Sequence, residues 1–172
     1  MRRIRVLPVI AVMADGLVLA AGCSSSKKAD TSTGAGGGVS VTTAPGAVTV
    51  NVTVSDTKGL DGPMTMTLTP NTVPAGSTVT FVVKNTGTIE HEAVLLKLPA
   101  GQDPGKLAVL TTGEEADKVS EDGNVGETGD PNLAAGETRS FTIANMTAAQ
   151  YVLVCNIAKH YAMGMWAPFT VS

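Results

Sequence analysis

Eleven residues near the C-terminus, Cys155 to Met165, carry a thiol, an imidazole and a thioether: Cys155, His160 and Met165. Soft sulfur donors select copper or zinc, and a cysteine joined by histidine and a more distant methionine suits a copper electron-transfer site. Such a site needs one more imidazole. The chain has only two histidines, and the other is His91. In this set the Cys155 thiolate would give a short covalent bond and the imidazoles of His91 and His160 would complete a trigonal plane. Met165 would stand at a long axial distance, disfavouring extra ligands and raising the potential. Both oxidation states tolerate that geometry, so little has to move when an electron passes. Taken singly, a buried cysteine is usually a small hydrophobe and a loop methionine a gap-filler. Here both histidines of the chain fall at the two places the set requires, and that coincidence favours the metal.

The same scarcity limits the chemistry. No histidine is left for a second copper centre, and one cysteine in the loop cannot make a dinuclear purple site. A Ser-His-Asp set would have to borrow a copper ligand. The expectation is therefore a carrier and not an enzyme.

The ligands need a frame that the metal does not set. Tyr151-Val152-Leu153-Val154 is an apolar run that reads as a buried strand delivering Cys155, and His91 lies at the start of a second strand-like run, Glu90 to Leu98. Upstream, Val48, Val50, Val52 and Val54 alternate with polar residues, as do Met64, Met66 and Leu68. Pro70 to Gly76 reads as a turn. Val79, Phe81 and Val83 mark a further strand closed by Asn85-Thr86-Gly87, and Thr138 to Ile143 and Pro168 to Val171 mark two more. With 172 residues, aromatics at 3% and Val, Thr, Gly and Ala dominant, the chain suits one modest all-β domain. The expected fold is a Greek-key β-sandwich of about seven to eight strands. The stretch Pro99 to Pro131 is too long for a simple sandwich loop. Its segment Lys106 to Val119 has room for a short helix carrying Leu107, Val109 and Leu110. Glu114, Glu115, Asp117, Glu121, Asp122, Glu127 and Asp130 there oppose only Lys106 and Lys118. A solvated insertion is the plain reading, and an acidic docking face the sharper one.

The other end of the chain reads as targeting. Arg2, Arg3 and Arg5 form a charged n-region and Leu7 to Ala21 an apolar h-region, too short and weak to span a membrane. Leu19-Ala20-Ala21-Gly22-Cys23 resembles the lipobox of bacterial lipoproteins, with the leucine one position early. The organisation expected is a signal peptide at 1–22, a lipidated Cys23 with a flexible Ser, Thr, Gly and Ala tether over 23–47, and a metal domain at 48–172. A plain secretory signal cleaved near Ala21 is the alternative. Cys23 and Cys155 are the only cysteines, so these assignments leave no disulfide. Without residues 1–22 the chain loses three arginines and Asp15, and its formal charge moves from −3 to −5. No basic stripe suggests nucleic acid.

Taken together, these residues resemble the cupredoxins, the small blue copper proteins. The loop Cys-x4-His-x4-Met is most similar to the loops of the rusticyanin and sulfocyanin branches. Val73-Pro74-Ala75-Gly76 before a strand and Asn85-Thr86-Gly87 before His91 are also similar to the family. So is Tyr151, four residues before the cysteine, where a tyrosine corner occurs. The resemblance covers about residues 48–172 and implies a cupredoxin-like sandwich holding one type 1 copper on His91, Cys155, His160 and Met165. Two positions depart from it: Glu92, where many relatives have Asn or Ser, and Lys159, where Gly is common. Met163 is a rival axial ligand at the spacing of a shorter loop, but long Cys–His spacings go with long His–Met spacings, which favours Met165.

The functional expectation is a membrane-tethered copper protein, monomeric, on the extracytoplasmic side of a bacterial cell membrane. It would carry single electrons between a donor and an acceptor redox protein. His160 would be the exit, rimmed by Tyr161, Ala162, Met163, Trp166, Ala167 and Pro168. The alternative is copper storage or delivery, with Met64, Met66, Met146 and Met163 as a thioether surface, although the alternation around Met64 and Met66 speaks for core packing.

Overall fold

The computed structural model describes residues 45–172. The signal segment, Cys23 and nearly all of the 23–47 tether lie outside the described residues. Within them the chain forms nine strands: β1 (Ala47–Asp56), β2 (Met64–Thr69), β3 (Thr72–Val73), β4 (Thr78–Asn85), β5 (Val94–Lys97), β6 (Asn124–Glu127), β7 (Thr138–Ile143), β8 (Ala149–Val154) and β9 (Trp166–Val171).

The period-two pattern decides which side chains face inward. In β1, Val50, Val52 and Val54 are fully buried while Asn51 is exposed. The same parity brings Asp56 inward at the end of the strand. One sheet has the order β2-β1-β4-β7, with β1 parallel to β4 and the other pairs antiparallel. The second has the order β3-β9-β8-β5-β6, with β3 parallel to β9 and the rest antiparallel. Phe81 of β4 stacks on Phe141 of β7 at 5.0 Å and meets the edge of Phe169 of β9 at 5.2 Å, so aromatic contacts link the two sheets through the main core. Tyr151 makes the corner expected of it: its hydroxyl donates to the Thr147 carbonyl, four residues upstream, at 2.8 Å.

The apolar run Val152 to Cys155 is buried at every position, because β8 is covered on both faces. Leu153 faces the main core. Val152 and Val154 join Val94, Leu96, Leu98, Val119 and Tyr161 in a second, smaller core. Leu107 and Val109 close it from the insertion.

Three expectations are corrected. The insertion has no helix, and none is found among the described residues. Leu107 and Val109 point into the second core with a spacing of two, Val109 bridges Val119, and Gly113 and Asp117 adopt positive φ, which a helix cannot carry. The strand expected from Glu90 begins only at Val94. The amides of Thr88 and Ile89 are bonded to the Asp56 carboxylate rather than to a neighbouring strand, and His91 makes an isolated bridge to Leu133. The segment Pro70–Gly76 contains the two-residue strand β3, and the insertion contributes β6; neither is long enough to leave an alternating pattern.

Candidate metal centre

Three segments meet at the site. His91 comes from the β4–β5 connection, where its amide donates to the Leu133 carbonyl at 3.0 Å and its carbonyl accepts from the Leu133 amide at 2.7 Å. Cys155 is the first residue after β8. His160 and Met165 lie on the loop that returns to β9. That loop is closed at its mouth by the Cys155 amide donating to the Met165 carbonyl at 3.0 Å, while the Met165 amide donates to the His160 carbonyl at 3.1 Å. Each of these side chains is buried.

His91 Nδ1, Cys155 Sγ and His160 Nδ1 converge within 4.8 Å. The sulfur is 3.2 Å from His160 Nδ1 and 3.9 Å from His91 Nδ1, and the two nitrogens are 3.2 Å apart. A point equidistant from all three lies about 2 Å from each, the length of a metal–imidazole bond and slightly under that of a metal–thiolate bond. The orientation of His91 makes the same case. His91 Nε2 faces the Asp56 carboxylate at 3.0 Å, and a carboxylate only accepts, so Nε2 carries the proton and Nδ1 is bare. A single cation between them would be met by all three donor atoms at once. The residues fit a soft metal such as copper, which His91, Cys155 and His160 would hold.

Burial pushes the Cys155 thiol up to about 12, although the amides of Glu92 and Ile157 oppose the shift, so the metal has to displace the thiol proton. Burial, and then the neighbouring His91 ring, take His160 down to about 4, which keeps it a neutral donor. The Glu92 amide donates to Cys155 Sγ at 3.4 Å. Its carboxyl is raised to about 7 by burial and by Glu121.

Met165 is fully enclosed and packs in the same core as Cys155, whereas Met163 is half-buried against that core. Tyr161 and Ala167, expected on the exposed rim, are buried; Ala162 is exposed. Met64, Met66 and Met146 are also core residues, which removes the thioether surface that metal delivery would use.

Several contributors had not been picked out from the sequence. Asp56 is the clearest, and its position on the inward parity of β1 was the available signal, since an acid on a buried face needs partners. Asn156 is another. Its Nδ2 donates to the Val119 carbonyl at 3.0 Å and to Glu121 Oε1 at 2.8 Å, and its Oδ1 accepts from the Val119 amide at 2.8 Å. The Tyr161 hydroxyl donates to the Pro104 carbonyl at 2.8 Å and accepts from the Leu107 amide at 2.9 Å, and the Lys159 amide donates to the Asp117 carbonyl at 2.8 Å. The insertion is thus strapped to the ligand loop at three places.

Comparison with known proteins places these features in a series. A sulfocyanin (SoxE) domain model matches residues 46–172. The chain is similar to a sulfocyanin of Sulfolobus acidocaldarius, 33% identical over 103 residues, a match covering 58% of this chain and 49% of that protein. The match thus spans about half the length of that relative. In fold the chain is similar to rusticyanin from Thiobacillus ferrooxidans, with a TM-score of 0.50 and 21% identity over 72% of this chain and 77% of that one. It is likewise similar to auracyanin B, with a TM-score of 0.50 and 19% identity over 73% of this chain and 88% of that one.

Proposed function

The chain belongs to the sulfocyanin family of cupredoxins, and on that premise we propose that it carries single electrons between redox proteins. The observation that carries this reading is the convergence of His91 Nδ1, Cys155 Sγ and His160 Nδ1 in a buried triangle. One copper ion is the cofactor, and when bound it supplies a one-electron couple between Cu(II) and Cu(I). The protein's part is to hold the donors still. His91 is fixed by its double backbone bond to Leu133 and by Asp56, and Cys155 by the end of β8 and the Glu92 amide. His160 is fixed by the closed loop and its straps. Met165, enclosed beside Cys155, would supply the fourth donor, a weak thioether.

Burial of the donors excludes competing ligands, and the lack of a free histidine among two leaves no second centre, which supports a carrier over an enzyme. Copper storage or delivery loses its main support, because Met64, Met66 and Met146 lie in the core. Residues 1–22 with Arg2, Arg3 and Arg5 support export, and Cys23 supports lipid anchoring on the extracytoplasmic face of the cell membrane. A monomer meeting its donor and acceptor in turn completes the reading.

The deciding test is the visible spectrum of the copper-loaded domain. An intense sulfur-to-copper charge-transfer band is expected, and Cys155→Ser abolishes it. A loaded protein showing only weak d–d absorption overturns the type 1 assignment.

A further inference from the structure

Asp56 is a buried carboxylate with an unusual set of partners. Oδ1 accepts from the Gly59 amide at 2.6 Å and the Thr88 hydroxyl at 2.5 Å. Oδ2 accepts from the Thr88 amide at 2.7 Å, the Ile89 amide at 3.2 Å and His91 Nε2 at 3.0 Å. Five donors meet two oxygens, which leaves no place for a proton on the carboxyl. Among the described residues no lysine or arginine is bonded to it, and its one basic side-chain partner is the His91 imidazole. A buried anion without a cation is costly. The site on the far side of the imidazole is where a cation would sit.

Gly87 is a second, independent sign that this contact is built in. A Cβ at Gly87 would overlap Asp56 Oδ2 and lie 2.9 Å from His91 Nε2. Only a residue without a side chain lets the loop close over the pair.

We infer that Asp56 is a positioning residue for the metal: its bond to His91 Nε2 fixes the tautomer that turns Nδ1 to the copper, and its fixed negative charge favours the oxidised ion. This rests on the copper reading above. A carboxylate bonded to the outer nitrogen of a ligating histidine raises the basicity of that ligand. Its charge also acts directly. At about 7 Å and an effective dielectric of about 20, one charge acting on one added charge is worth about tenfold or more in an equilibrium.

The test has two arms. In the metal-free protein labelled with 15N-histidine, His91 should show the Nε2–H tautomer with a slowly exchanging proton. Asp56→Leu, or Gly87→Ala should Asp56→Leu fail to fold, should give mixed tautomers or fast exchange. In the copper-loaded protein, Asp56→Asn keeps an acceptor but removes the charge. It should stay blue while shifting the Cu(II)/Cu(I) balance at least tenfold toward Cu(I), a rise of 59 mV for one electron. A wild-type His91 carrying its proton on Nδ1, or a blue Asp56→Asn with an unchanged potential, overturns the inference. A loaded wild type that is not blue sinks the copper reading and the charge effect with it, while the tautomer arm still reports whether Asp56 orients His91.

Discussion

At the scale of single residues, the ligand set was readable because its members are scarce: two histidines and one loop cysteine leave little choice of donors. What surrounds them was not, because Asp56, Gly87 and the Glu92 amide act through a fold that brings β1, the His91 loop and the end of β8 together. Two predictions belong here. Met165 is enclosed beside Cys155 and Met163 is half-exposed, so Met165→Leu should raise the potential by removing a weak donor, and Met165→Gln should lower it by adding a stronger one. Met163→Gln should alter electron-exchange rates with partners and leave the potential nearly unchanged; a reversed pattern in protein-film voltammetry would exchange the two roles. The second prediction concerns Glu92, whose carboxyl is raised to about 7. A raised carboxyl binds its proton in the folded state first, so between about pH 4.5 and 7 the native state holds more protons than the unfolded one. This group should therefore cost the metal-free domain stability as pH rises through that window, by at most about 1.4 kcal/mol per pH unit. Urea titrations of Glu92→Gln should show the slope flattened, and an unaltered slope would place the proton elsewhere.

At the scale of elements, the long strands announced themselves by alternation, and β1, β2, β4, β7, β8 and β9 lie where the pattern put them to within a few residues. β3 and β6 are too short to alternate. The helix expected in the insertion was a misreading of Leu107, Val109 and Leu110: the first two face a core at a spacing of two, and Leu110 is exposed. The ligand loop holds one strained residue. Lys159 has φ 75°, a left-handed conformation that suits glycine. Lys159→Gly should raise the unfolding free energy by up to about 1 kcal/mol without changing the colour. Asn156 offers the opposite experiment. Asn156→Ala leaves the Val119 amide without its side-chain partner and frees one strap, which should cost about 1–3 kcal/mol in a urea melt. If stability were unaffected, the strap would not be holding the loop.

At the scale of the whole molecule, the two-sheet architecture followed from strand parity, but the role of residues 99–131 did not. Their charges suggested a solvated or docking surface, whereas their apolar side chains cover the outer face of β5 and β8. Composition registers the exposed acids and is silent about which few hydrophobic side chains turn inward. The anchoring expected at Cys23 lies outside the described residues and is tested at this scale too. Wild-type protein should partition into detergent with its new N-terminus at Cys23, and Cys23→Ala should release it; an unlipidated mature N-terminus elsewhere would remove the anchor. The covered face also bears on any attempt to shorten the chain. An engineer wanting a compact protein for an electrode would cut the insertion first, since it carries no ligand and only its β6 belongs to a sheet, at the edge. A short turn in its place would leave Val94, Leu96, Leu98, Val152 and Val154 as an open, sticky β-surface beside the metal, and the trimmed protein would precipitate before its colour could be measured.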